Sequence, residues 1–187
     1  MDEHAKKAVL RWWQSMMLSE SRLKELHVRA APTSYKAQLR RCDSIDGAML
    51  SDGFRDLWLR LSDEITDSQS ADTIECWATI AAALVHIKKE GNLSLAIAAG
   101  KKGDGDKSVV SELRFAQLQN AKSPEDFLRR IRRIIQQVKD DVSPLSVADN
   151  IHQWFAEHRQ FRPRKADKRI SVKWAMDYYR AASGKTK

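Results

Sequence analysis

The segment Phe127-Leu128-Arg129-Arg130-Ile131-Arg132-Arg133-Ile134-Ile135 has the residue types and spacing that most directly specify a chemistry. On a helix turning about 100° per residue, with Arg129 at zero, Arg130 falls at about 100°, Arg132 at about 300° and Arg133 at about 40°. Phe127, Ile131, Ile134 and Ile135 fall between about 140° and 240° on the same wheel. Four guanidinium groups therefore share one face and the apolar set takes the opposite one. Such a helix docks by its back and presents planar forks suited to phosphate, which they bind through paired, charge-assisted hydrogen bonds. Acids able to quench the array are few: Asp126 within reach of Arg129 or Arg130, and Glu125 within reach of Arg129. The competing reading is a solvated basic face with no partner.

Other cations extend the expected track. Arg40 and Arg41 close the helix-like run Tyr35-Lys36-Ala37-Gln38-Leu39, where positive charge also favours a helix C-terminus. Lys101, Lys102 and Lys107 ride a glycine-rich loop, Arg114 precedes Phe115, and Arg162, Arg164, Lys165, Lys168 and Arg169 form a second cluster. The expected nucleic-acid-binding residues are Arg40, Arg41, Lys101, Lys102, Arg114, Arg129, Arg130, Arg132 and Arg133. Catalytic readings find no support. His152 and His158 are six apart, on different helix faces, and no HExxH, GxxxxGK[ST], GxGxxG or GxSxG is present. The carboxylates from Asp43 to Glu75 lack the pairing with His or Lys that a metal nuclease requires. His86 and His152 sit in apolar stripes and read as core histidines. No catalytic residue, metal site or cofactor is expected.

These side chains need helices to position them. Ala8, Val9, Trp12, Trp13, Met16 and Met17 mark a first apolar stripe, Phe54, Leu57, Trp58, Leu61 and Ile65 a second, and Ile74, Trp77, Ile80, Ala81, Leu84 and Val85 a third. The third is expected to open at Asp72 or Thr73 and close with Lys88, Lys89 and Gly91. Ser123-Pro124 and Ser143-Pro144 each place a capping hydroxyl before a proline at the first helical position. The last helix is expected to start near Ile170 and turn Trp174 and Tyr178 inward. Trp12 and Trp13, being adjacent, are not expected both to point inward, which would leave one for a subunit contact. No segment alternates as a strand does, so the fold expected is all-α, with about eight to nine helices.

Charge divides the chain. Residues 1–95 hold 13 Lys and Arg against 14 Asp and Glu, a net of −1, whereas 96–187 hold 20 against 11, a net of +9. Within the first part, 43–75 carries 9 acids and 2 bases. A near-neutral subdomain 1–95 and a basic subdomain 96–187 are expected, joined where Gly100-Lys101-Lys102-Gly103-Asp104-Gly105-Asp106-Lys107 reads as a flexible loop. Cys42 and Cys76 stand alone, no apolar run reaches the roughly 20 residues of a membrane span, and no signal-type stretch opens the chain. The setting expected is cytoplasmic, with no membrane partner.

The order of motifs resembles the CasB family, the small helical subunit of the type I-E CRISPR surveillance complex, Cascade. The resemblance rests on Trp12-Trp13, Lys36-Ala37-Gln38-Leu39-Arg40-Arg41, Ser94-Leu95-Ala96, Ser111-Glu112-Leu113-Arg114-Phe115-Ala116-Gln117-Leu118, the Leu128–Arg133 helix, Trp154, and Trp174 with Tyr178-Tyr179. It spans about nine-tenths of the chain. It implies a two-part helical bundle and a non-catalytic subunit, present as a pair beside the filament that carries the CRISPR RNA. Implied partners are target DNA strands, the CRISPR RNA ribonucleoprotein, other Cascade subunits and a second copy of the chain, with basic surfaces that hold DNA strands and stabilise the R-loop. Arg40, Arg41, Arg114 and the arginines from Arg129 to Arg133 fall on the basic positions of the matching motifs. Binding is expected to be indifferent to sequence. The alternatives from other classes are a helical DNA-binding regulator and a plain helical protein-interaction module.

Overall fold

Short polar side chains fix where the backbone enters its helices. The computed structural model describes residues 1–68, 70–139, 142–159 and 162–184, and these form twelve α-helices. Among the described residues no strand occurs, only isolated bridges at Leu93–Val142 and Lys102–Ser108, so the fold is all-α as expected. Asp2 accepts from the Ala5 amide (2.7 Å) to start α1 (Glu3–Met17). Serine hydroxyls do the same for α2 (Glu20–Glu25), α4 (Ile45–Met49), α5 (Asp52–Trp58), α8 (Leu95–Gly100) and α10 (Pro124–Val138). The remaining helices are α3 (Thr33–Arg41), α6 (Asp63–Thr66), α7 (Ala71–Leu84), α9 (Glu112–Gln119), α11 (Pro144–Arg159) and α12 (Ile170–Ala182).

Twelve helices replace the expected eight to nine because capping serines cut the acidic stretch. Ser44, Ser51 and Ser62 occupy successive N-cap positions, so the stripe from Phe54 to Ile65 is divided between α5 and α6. Ser70, rather than Asp72 or Thr73, takes the cap position of α7.

The middle of the molecule is α7, buried without a break from Cys76 to Val85. It is apolar on every side because α4, α5, α10 and α11 surround it, and its alanines let them approach closely. Trp12 and Trp13 are both fully buried, which corrects the expectation that one would face a partner. The first indole donates to the Gly53 carbonyl (2.9 Å) and the second to the Ile87 carbonyl (3.2 Å). A helix covered on two flanks can bury side chains about 100° apart. The core continues across residue 95 through α8 onto α12, then through Phe127 stacked on Trp154 (4.1 Å) and Phe115 stacked on Tyr178 (4.7 Å). Trp174 and Tyr178 turn inward as expected, and the Tyr178 hydroxyl donates to the Val110 carbonyl (2.7 Å). The glycine loop is a small hairpin, closed by Gly103 N–H to Lys107 O (2.8 Å) and Val109 N–H to Lys101 O (2.9 Å).

Candidate nucleic-acid interface

Helix α10 is built as its pattern implies. Ser123 accepts from the Asp126 amide, Pro124 occupies the first turn, and Phe127, Leu128, Ile131, Ile134, Ile135 and Val138 are buried. On the outer face Asp126 holds both Arg130 (2.7 Å) and Arg129 (2.5 Å). These hydrogen bonds, Arg130's first, keep the Asp126 carboxyl below its ordinary range. Glu125 turns away from Arg129 and accepts from the Ile45 amide (2.8 Å) at the start of α4. Arg129 stays largely exposed, and Arg133 is exposed with no polar partner among the described residues.

Arg132 behaves differently. Its Nη1 donates to the Cys42 carbonyl (2.7 Å), its Nε to the Ala82 carbonyl (3.0 Å), and its Nη2 to the Leu39 carbonyl (3.3 Å) and Cys42 Sγ (3.2 Å). The guanidinium thus plugs the C-terminal ends of α3 and α7, where orphan carbonyls and the helix dipoles favour a cation. At about 300° on the wheel Arg132 borders the apolar face, which is why it folds under while Arg129 and Arg133 do not. Arg40 partly shares that role, its Nε donating to the Val85 carbonyl (3.0 Å).

Beside this junction lies a cavity of about 490 Å³ lined by Arg40, His86, Lys88, Ile135, Gln136 and Lys139. Arg40 thereby joins the α10 side of the molecule. Lys88 and Lys139, exposed and unpaired among the described residues, enter the basic surface here although sequence reasoning assigned Lys88 to closing α7 and passed over Lys139. The spacing held a signal for Lys139: Arg129, Arg133, Gln136 and Lys139 follow one another at four, three and three residues along one face. His86 is half-buried rather than fully in the core, and its Nε2 is enclosed with no hydrogen-bond partner. Burial, then the charges of Arg132 and Arg40, push its pKa down to about 4. Burial likewise lowers the pKa of His152.

The other expected residues are scattered. Arg41 and Arg114 are exposed on α3 and α9, without polar partners among the described residues. Lys101 and Lys102 ride the hairpin, Lys102 paired with Asp106. In the 162–169 cluster Arg169 donates to the Pro163 (2.9 Å) and Arg164 (3.1 Å) carbonyls and so shapes its own loop. Among the described residues no group of three His, Cys, Asp or Glu is gathered as a metal would require. Burial pushes the Cys76 thiol upward, as suits a core residue. No helix among the described residues is long and apolar enough to cross a membrane.

The chain matches the family model described as CRISPR-associated protein Cse2 over residues 35–179, most of its length. It belongs to that family. Cse2 is the CasB family of the earlier resemblance, so the chain is a subunit of the CRISPR Cascade complex. The Cse2 match takes in α3 from Tyr35 onward, the hairpin, α9 and all of α10, and leaves Trp12 and Trp13 outside. No curated protein and no solved structure matches the chain.

Proposed function

We propose that this Cse2 subunit is a non-catalytic strand holder, which binds nucleic-acid backbone without sequence preference and stabilises the R-loop within Cascade. Its partners on this reading are target DNA, the CRISPR RNA ribonucleoprotein, neighbouring subunits and a second copy of itself. The observation that carries the reading is the exposed pair Arg129 and Arg133, aligned along α10 toward the cations Arg40, Lys88 and Lys139. Asp126 offsets one charge of that line; the others are available to phosphate. Nothing along the line resembles a recognition helix of polar base readers, which favours backbone contact over a regulator's base readout. R-loop formation is a near-balanced exchange that a few backbone contacts are able to tip. Weak affinity in the isolated subunit would be raised by neighbours in the assembly.

The test is single-stranded DNA binding by fluorescence anisotropy at two salt concentrations. With about four to six phosphates neutralised, log affinity should fall with log salt at a slope of roughly −3 to −4. The variant to compare is Arg129→Glu/Arg133→Glu, which leaves Arg132 and its carbonyl contacts in place. Loss of binding, with circular dichroism unchanged, supports the reading. A slope near zero, or unchanged binding in the variant, overturns the α10 track.

A further inference from the structure

Helices α9 and α12 lie side by side and antiparallel, since Glu112 accepts from the Tyr179 hydroxyl while Gln119 Nε2 donates to the Ser171 carbonyl (2.9 Å). Phe115, Leu118, Trp174 and Tyr178 turn inward from the pair. At about 100° per residue, Leu113 and Ala116 of α9 and Met176 and Tyr179 of α12 then share the outer face. Leu113 is 73% exposed, Met176 60% and Tyr179 51%, three of the five large apolar side chains that the described residues leave in water. Cations edge this apolar seam on both sides: Arg114 on the far flank of α9, Lys173 and Arg180 on the far flank of α12. Among the described residues the Arg114 and Arg180 side chains have no polar partner, and Lys173 has the Gln153 side-chain oxygen (3.2 Å).

Nucleic acid fits this seam poorly, because its middle is aliphatic and holds the Glu112 carboxylate, which opposes phosphate. Nor does a second copy of the chain supply the complement. The same face turned on itself would bring the two sets of cations together. The acidic segment exposes Leu50 and Leu59, but at opposite ends of α5, and Arg55 and Arg60 offset the carboxylates of Asp52 and Asp56 between them. We infer that the α9–α12 seam docks a helix of a different Cascade subunit, one whose apolar stripe meets Leu113, Met176 and Tyr179 and whose flanking carboxylates meet Arg114, Lys173 and Arg180. Two adjacent helices present a groove that accepts a third in this way, with opposite charges fixing its register. The inference rests on the chain's place in Cascade and not on its holding a strand.

The experiment measures binding of the full chain to Cascade assembled without this subunit, by biolayer interferometry, for wild type, Met176→Asp and Met176→Lys. Met176 stands in water, so both variants should fold, which circular dichroism checks. Met176→Asp sets a carboxylate against those of the partner and should weaken docking at least about tenfold. Met176→Lys loses the apolar contact but gains a favourable charge, and should weaken docking about threefold at most. Unchanged docking in both overturns the seam, and equal weakening in both overturns the acidic partner. Loss of single-stranded DNA binding by isolated Met176→Asp, with docking unchanged, assigns the seam to a strand and overturns the inference. A wild type that self-associates, and that Met176→Asp makes monomeric, assigns it to a second copy and does the same. Strand holding fails separately: Arg129→Glu/Arg133→Glu tests it in the isolated subunit, where both Met176 variants should bind single-stranded DNA as wild type does.

Discussion

At the scale of single residues, two arginines three positions apart on one helix do opposite work. Arg129 faces solvent with one carboxylate, whereas Arg132 gives its donors to three main-chain carbonyls and a sulfur at the ends of α3 and α7. Removing Arg132 would leave the Ala82 and Cys42 carbonyls without this donor, the Leu39 carbonyl with only the Cys42 thiol, and the junction without its cation. Hydrogen bonds from a charged donor contribute about 1.5–3 kcal/mol each at most, and partial rescue by water reduces the sum. We expect Arg132→Ala to cost about 3 kcal/mol in urea unfolding, and Arg132→Lys to recover little, because an ammonium lacks the planar fork that reaches separate acceptors. Arg133→Ala should be neutral within about 0.5 kcal/mol, as for other surface changes. The difference was only partly legible in the sequence. The wheel gives the shared face, but whether a residue at its border lies in water or beneath a neighbouring helix depends on where α3 and α7 end. His86 was obscured for the same reason, since its stripe gave the apolar side of α7 and not the cations brought to it by other helices.

At the scale of elements, the helix starts were the most legible part of this fold. Ser123-Pro124 and Ser143-Pro144 carry their capping logic locally, and the Ser123 and Ser143 hydroxyls accept from the amides three residues on. The breaks between α4, α5 and α6 were less so, because an apolar stripe at helical spacing does not reveal that a serine has interrupted the hydrogen-bond ladder beneath it. The end of α10 shows another limit. Lys139 closes this helix at φ 53° and ψ −112°, a backbone region where glycine is at ease and a side chain is strained. Nothing in the residue type foretells that conformation. Lys139→Gly should relieve strain of about 1–3 kcal/mol and lose about 1 kcal/mol to the freer unfolded chain. The expected result is a gain of roughly 1 kcal/mol in thermal stability together with weaker single-stranded DNA binding on the strand-holding reading, while Lys139→Ala weakens binding without the gain.

At the scale of the whole molecule, the division of charge at residue 95 and the continuity of the core give different expectations of how the chain unfolds. The near-neutral and basic parts differ by ten charges, −1 against +9, as separate subdomains would. Yet α8 spans that boundary and lies against α12 so closely that a β-carbon on Gly100 would sit 2.3 Å from the Tyr178 carbonyl oxygen. The obstacle is backbone rather than a movable side chain, so Gly100→Ala must push the two helices apart. Overpacking of this kind costs about 1–3 kcal/mol, and for a chain of this size each kcal/mol lowers the melting temperature by about 2–4 °C. If the core from Trp12 to Tyr178 opens as one cooperative unit, a loss of about 2 kcal/mol raises hydrogen exchange of the slowest amides in α1 and in α12 by the same factor, about thirtyfold. Acceleration confined to α12 and its neighbours would instead define 1–95 and 96–187 as separate unfolding units. We expect the common factor, because Phe127 and Ile131 of the basic part and Trp77 and Ile80 of the near-neutral part belong to a single buried cluster. Such a cluster allows Arg132 to hold α3 and α7 in register while Arg129 and Arg133, on the same helix, stay at the surface.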